Sequence, residues 1–336
     1  MLSMKRLHFD TICQELTRIL LNLGLENAQA KKCAYIFTEN TCDGVTSHGL
    51  NRFPSFVDDI KSGIIQIKAE PELTKAMAAI EQWDGKRGIG PLNAEKAMLR
   101  AVELSHKHGL GCVGLSNTNH WMRGGTYGLQ AAKAGCIGIC WTNTIANMPP
   151  WGSAERKIGN NPLVISIPKE KNPVLLDMAM SQFSNGKLEV LRRRGDQLPL
   201  AGGYDEKGQL STDPNAILRS SRALPIGFWK GSGLSLVLDI LAALIAGGDS
   251  TGEISQREKE TGISQVFIAI DLESELGAAS INEKVNAILE DFLSAQPLDE
   301  SSQVRYPGQG MFATRKDNLE NGITVDLSLW ETIQKM

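Results

Sequence analysis

Apolar residues recur at helical spacing near the start of the chain, at Ile12, Leu16, Ile19, Leu20 and Leu23. The pattern predicts a helix with Asp10 as its N-cap and Gly24 as its stop. A second helix is predicted over 28–41. The turn Asp43-Gly44-Val45-Thr46-Ser47-His48-Gly49 follows, and then a short helix from Pro54 to Gly63. Residues 1–75 therefore read as mostly helical. From Ala78 the character changes: 79–83 lead into Gly85, and a predicted helix over 91–107 is followed by an apolar strand at 112–115. A helix over 127–134 feeds a strand at 136–141, with further strands at 163–167, 174–176 and 266–270. The apolar stretch 234–246 is interrupted by Ser235 and Asp239 and is shorter than the ~20 residues of a membrane span, so it reads as a core or interface helix. No fixed-period repeat or low-complexity tract is present.

These elements predict an α/β chain in two interleaved parts. One is a β-rich domain from 76–175 plus 262–308; the other is a mainly helical domain from 1–75, 176–261 and 309–336. Composition agrees: 336 residues, 42% hydrophobic and 22% charged, suit a globular chain of about two domains. The net charge of −3, with both signs scattered, removes the electrostatic footprint of a nucleic-acid binder. The basic run Arg192-Arg193-Arg194 reads as a solvated helix end. Residues 1–10 carry Lys5 and Arg6 but no apolar signal core, which points to the cytosol. The six cysteines (Cys13, Cys33, Cys42, Cys112, Cys136 and Cys140) form no CxxC pair and read as reduced core residues. Cys136 and Cys140 share a strand face, yet a metal generally wants more than two ligands, so no metal is expected.

Gly109-Leu110-Gly111-Cys112-Val113-Gly114 matches the glycine pattern of a dinucleotide-binding turn. That chemistry needs a strand before the glycines and a helix after them. Here the predicted order is reversed, so Gly109 reads as a helix terminator and the domain is not a Rossmann fold. Gly85-Lys86-Arg87-Gly88-Ile89-Gly90 does precede a helix, but turn chemistry explains it equally well.

Among the histidines, His106 and His108 lie at a helix C-terminus and read as structural, and His8 belongs to no constellation. His48 differs. It follows Ser47 in a turn, with Arg52 four residues on, a spacing that shares a face if the segment turns helical. An imidazole beside a carboxylate-binding guanidinium is the pair needed to reduce a 2-oxo acid, the Arg anchoring the acid and the His protonating the oxygen. A hydrogen-bonded surface turn explains the same residues, and spacing leaves both readings open. The loop Asn117-Thr118-Asn119-His120-Trp121-Met122-Arg123-Gly124-Gly125 leaves a strand end and is read as a binding loop. Thr142-Asn143-Thr144 and Gly159-Asn160-Asn161-Pro162 are turns whose amides suit a carboxamide or a ribose. Gly227 to Gly233 opens a helix, where Lys230 suits a phosphate.

Ser47-His48-Gly49 with Arg52, Asn119-His120, Gly159 to Pro162, Asp177-Met178-Ala179-Met180 and Lys230-Gly231-Ser232-Gly233-Leu234-Ser235 together carry a resemblance. Nearly end to end, the chain resembles the malate/L-lactate/sulfolactate dehydrogenase family that lacks a Rossmann fold. The resemblance implies an L-sulfolactate dehydrogenase-like fold, in which a β-rich NAD-binding domain joins a discontinuous helical domain carrying the catalytic His and the dimer contacts. It implies a cytosolic homodimer that uses NADH or NADPH to reduce the 2-oxo group of a sugar-derived acid. His48 is then the proton donor, Arg52 the carboxylate anchor, and His120, Asn119 and Ser47 substrate-positioning groups; Asp43 and Asp177 are candidates to orient His48. Family nucleotide contacts fall on Val174, Leu175, Leu176, Asp177, Met178, Ala179, Trp229, Lys230, Gly308, Gln309 and Gly310. Relatives usually carry an acidic residue where Gly310 stands and Thr where Asn160 stands. Within the family the alternatives are malate, lactate or ureidoglycolate oxidation and cyclic imine reduction. Outside it they are a metal-dependent hydrolase built on His48 and His120, or a silent ligand-binding protein.

Overall fold

The β-rich middle of the chain forms one seven-stranded sheet. Its strands are β1 (Glu72–Met77), β2 (Ile80–Asp84), β3 (Leu110–Thr118), β4 (Cys136–Thr142), β5 (Leu163–Ile167), β6 (Val174–Met178) and β7 (Ile263–Asp271). Their spatial order is β1-β2-β3-β7-β4-β5-β6, and only the β2–β3 pair is parallel. A doubly wound nucleotide fold needs consecutive parallel strands, so this sheet has a different construction, as the glycine pattern implied. The computed structural model describes residues 4–300 and 302–336, apart from the Arg193 side chain. Residues 1–3 of the amino-terminal segment and the middle side chain of the arginine run thus lie outside the described residues.

Helices cover both faces of the sheet. On one side lie α4 (Gly90–His108) and α5 (Gly124–Lys133), where Ala97, Met98, Tyr127 and Leu129 pack on Val113, Val164 and Phe267. On the other lies α6 (Trp229–Ala246), which turns Leu238 and Ala242 onto Trp141 and Val266. The segment 176–261, grouped with the helical part on sequence, therefore contributes a helix that rests on the sheet. Midway along α6, Asp239 accepts hydrogen bonds from the Asn143 Nδ2 and the Thr251 amide.

The three glycines of the 109–114 motif now have separate physical reasons. Gly109 ends α4 in the left-handed region, at φ 78°, and its N–H reaches the Ser105 carbonyl at 2.7 Å. A Cβ at Gly111 would strike Ala101 and Leu104 of α4, and one at Gly114 would strike Ile245 and Ala246 of α6. Both helices press on β3 because these positions carry no side chain.

A second core belongs to α1 (Phe9–Asn22), α2 (Asn27–Cys42) and α3 (Phe53–Lys61), packed around Ile12, Leu16, Phe37, Phe53 and Phe56. The residue preceding α1 is His8 and no side chain caps it; Asp10 sits within the first turn rather than at the N-cap. Strand Met4–Leu7 pairs antiparallel with Ile323–Asp326, so both ends of the chain close this helical unit.

Phe267 is fully buried at the centre of the sheet and stands edge-on to Trp121 at 5.7 Å and to Tyr127 at 6.1 Å. Tyr127 Oη donates to the Trp121 carbonyl at 2.6 Å, which ties this aromatic group to the 117–125 loop. Phe267→Ala is expected to cost about 3–5 kcal/mol in a urea titration followed by circular dichroism. A cost under about 1 kcal/mol would show that the group does not hold the loop.

Candidate active site

His48 is placed by its turn's attachment to the end of α2. Residues Thr46–His48 and Leu50–Arg52 form two short 3-10 turns around Gly49. The Leu50 N–H donates to Thr41 Oγ1, and Asn40 Nδ2 donates to the His48 carbonyl at 3.0 Å. A Cβ at Gly49 would collide with Thr41, so glycine is what lets the turn lie this close to the helix. The turn thus puts His48 and Arg52 on the sheet side of the helical unit.

The 117–125 loop comes to meet it. Its His120 ring lies parallel to that of His48, with centroids 5.7 Å apart and planes 10° from parallel. His120 Nδ1 accepts the Met122 N–H at 3.0 Å, so the neutral ring carries its proton on Nε2. His48 Nδ1 pairs with Ser47 Oγ at 3.1 Å. Two bulky residues in the left-handed region, Asn117 and Met122, bend the loop, a strain typical of functional segments.

Electrostatics separates the two imidazoles. Burial pushes His48 below its ordinary pKa; Asp177 opposes this, while Arg52 and Arg123 add to it. Burial pushes His120 much further down, with Arg52 and His48 reinforcing it, so His120 is neutral near pH 7 and serves as a hydrogen-bond donor. The Arg52 guanidinium makes no hydrogen bond or ion pair among the described residues, the backbone N–H alone being bonded, to the Gly49 carbonyl. Its charge is felt by both rings and by Glu260, whose carboxylate accepts the Ile145 N–H and whose pKa burial raises.

A cavity of about 330 Å³ opens beside His48. Of the residues named on sequence, Ser47, His48, Leu175, Asp177, Ala179 and Gly308 line it, together with 121–124 of the loop and Asn160 and Pro162; Arg52 and His120, whose ring stacks on that of His48, are not lining residues. The run 174–179 is split by strand alternation: Leu175 and Asp177 face the cavity, whereas Met178 packs into the core beneath α6. Val174, Leu176, Gln309 and Gly310 are not lining residues; the Gln309 side chain accepts the Tyr306 N–H. Trp229, 66% exposed, and Lys230 also lie off this cavity. Asn119 lies off the cavity: its Nδ2 donates to the Arg87 and Gly88 carbonyls and its Oδ1 accepts from Thr261 Oγ1, so both N–H groups of its side chain are spent on fastening the loop. A larger cavity, about 630 Å³, contains none of the singled-out residues.

The sequence placed Arg123 in the binding loop without giving it a role of its own. It is 5% exposed and pairs with both Asp43 and Asp177, and Asp43 also takes Arg315 Nε at 2.5 Å. Neither carboxylate hydrogen-bonds His48: Asp43 is committed to the two arginines, and Asp177 reaches the imidazole only through its field. The pairing joins α2, the site loop, β6 and α7 (Gln309–Asn321), contacts too remote in sequence for spacing to reveal.

Comparison with known proteins adds three findings. A family model described as malate/L-lactate dehydrogenase matches residues 7–334. The chain is 47% identical over 330 residues to 2,3-diketo-L-gulonate reductase of Citrobacter koseri, covering 98% of this chain and 99% of the relative, and 46% identical to proteins of that name from Escherichia coli. Its structure superposes on malate dehydrogenase from Entamoeba histolytica with TM-score 0.93 at 25% identity, covering 99% of this chain and 97% of that one. For sulfolactate dehydrogenase from Methanocaldococcus jannaschii the TM-score is 0.90 at 29% identity, covering 98% and 96%.

The lowered histidine pKa values have a consequence for stability. Below pH 6.5 the unfolded chain protonates these rings while the folded protein does not, so acidification favours unfolding until the folded values are reached. The urea midpoint is expected to fall between about pH 7 and pH 5, and the fall should shrink in His120→Gln. An identical fall in the variant would mean that His120 is not held neutral.

Proposed function

Because the chain belongs to the malate/L-lactate dehydrogenase family, we propose that it reduces the 2-oxo group of a sugar-derived acid, 2,3-diketo-L-gulonate to 3-keto-L-gulonate, with a nicotinamide cofactor. The observation that carries this reading is Arg52, a guanidinium with no ion-pair partner among the described residues, whose charge acts on two stacked imidazoles of which one, His48, lines the cavity. A substrate carboxylate is the partner such a group lacks. The near end-to-end identity to relatives named for this reaction supports the substrate.

The lining suits a nicotinamide-type group. Leu175, Pro162 and Met311 offer flat apolar contact, with Asn160 and Asp177 as polar neighbours. Leu175, Asp177, Ala179 and Gly308 would hold it, and a Cβ at Gly308 would press on the Leu175 backbone, so this wall allows close approach. When bound, the cofactor supplies the hydride that reduces the oxo carbon. Arg52 fixes the acid, and His120 Nε2–H donates to an oxygen of the substrate. His48 gives its proton to the oxygen that becomes the alcohol, and Ser47 holds the imidazole by Nδ1 so that Nε2 carries the transferred proton. Binding an anion at Arg52 cancels part of the positive field that depresses His48, so the donor becomes charged when substrate is present.

The hydrolase alternative loses its basis, since the family model and the named relatives are dehydrogenases and reductases. The six free cysteines suit the cytosol as the working compartment. A homodimer is part of the reading. Leu236, Val237, Ile240 and Leu244 make an exposed apolar stripe on α6, with Trp229 at its start. A second copy packed there would cover the stripe and bring Trp229 and Lys230 into a shared interface.

Activity is read as loss of reduced-cofactor absorbance with a panel of 2-oxo acids, diketogulonate, pyruvate and oxaloacetate among them. His48→Ala is expected to lower kcat by at least ~100-fold with its circular dichroism unchanged. Arg52→Lys should raise KM for the acid more than for the cofactor, because the fork is lost; equal effects on both would contradict the anchoring role. Light scattering should give a dimer for the parental chain and a monomer for the double variant Ile240→Glu, Leu244→Glu. A parental monomer would reject the interface.

A further inference from the structure

The geometry points to a second, non-catalytic site: a divalent ion of the zinc class held by His106, Cys136 and Asp271 at the far end of the sheet. His106 comes from the last turn of α4, Cys136 opens β4, and Asp271 closes β7. Their donor atoms, an imidazole nitrogen, a thiol sulfur and a carboxylate oxygen, all lie within 4.8 Å of one another. Such a mixed N/S/O set is what zinc and its neighbours take, whereas magnesium and calcium take oxygen alone.

The burial pattern suits a site with an entrance. Cys136 is fully buried and Asp271 is 6% exposed, while the His106 side chain is half exposed. His106 Nδ1 and Asp271 Oδ2 are already 2.9 Å apart, so the imidazole needs only a small rotation to admit an ion between them. Outer partners fix the donors: Ser105 Oγ lies 3.4 Å from the Cys136 sulfur, and the Ser274 N–H donates to Asp271 Oδ1. The remaining position of a tetrahedral ion is left to water, with a further carboxylate nearby in sequence and space. Glu273 places its carboxylate where Gly135, beside Cys136, has no Cβ. On binding, the Cys136 S–H bond breaks, its proton leaves to buffer, and a sulfur–metal bond replaces it with no change of oxidation state. Cobalt(II) or zinc(II) then staples α4, β4 and β7 together.

The test uses the full chain, stripped with chelator and titrated with cobalt(II) alone. One equivalent should bind with a near-ultraviolet thiolate-to-cobalt charge-transfer band. Cys136→Ser should lack the band, and His106→Gln, a change at a half-exposed position, should bind at least ~10-fold more weakly. Zinc should raise the melting temperature of the parental protein and not of either variant. If Cys136→Ser does not fold, the His106→Gln affinity decides. Absence of the band in the parental protein, its survival in Cys136→Ser, unchanged affinity in His106→Gln, or loss of binding in His48→Ala instead would each overturn the assignment.

Discussion

Three groups able to carry positive charge share one small volume, and in water-poor surroundings they cannot all be charged together. A guanidinium does not give up its proton in a protein, so the cost falls on the imidazoles: His120 is pushed well down and His48 less far, because Asp177 partly compensates. The division of labour in the proposed mechanism follows from that inequality. The ring fixed as a neutral tautomer by the Met122 amide donates a hydrogen bond, and the ring nearer a carboxylate carries the exchangeable proton. In that proposed mechanism an anionic substrate would relieve the shared strain and so couple recognition of the acid to charging of the donor.

This arrangement requires two independently packed units to meet accurately. The His48 turn is fastened to α2 through Asn40 and Thr41, whereas the His120 loop is fastened to the sheet through Asn119, Trp121 and the Phe267 aromatic group. Arg123 spans the junction, paired with Asp43 from the helical unit and Asp177 from the sheet. A buried guanidinium shared by two carboxylates is expensive to break from either side, since loss of one partner leaves charge uncompensated in a dry site. That makes it a device for holding relative position more than a source of net stability.

Much of this was legible in the sequence where the information is local. Strand alternation located the central strands, and helix order unmasked the 109–114 glycines. The Ser47–Arg52 spacing placed an imidazole and a guanidinium on one turn, as the two 3-10 segments around Gly49 do. What failed was decided across the fold. Asn119 reads as a ligand-binding amide until Arg87, Gly88 and Thr261 are seen to hold its side chain. The 174–179 run reads as one contact surface until the pleat sends alternate side chains to opposite faces. The pairing of Arg123 with Asp43 spans 80 positions, a separation that periodicity does not encode.

The remaining question of selectivity turns on what the anchor leaves unspecified. In the proposed reading Arg52 would take any carboxylate beside an oxo group, so malate-type and sugar-type acids would share that interaction and it would contribute nothing to choosing between them. Discrimination must come from the walls that meet the rest of the substrate, and there the cavity sets Ser184, Asn160 and Arg123 near Val45 and Met311. On the same reading the Asn160 amide bonds a hydroxyl of a polyol tail, and a methyl group there would leave it unpaired at a cost of about 1–3 kcal/mol, roughly a 5- to 150-fold preference. Ser184 is exposed to water and Arg123 is already held by Asp43 and Asp177, so neither contributes a loss of that size.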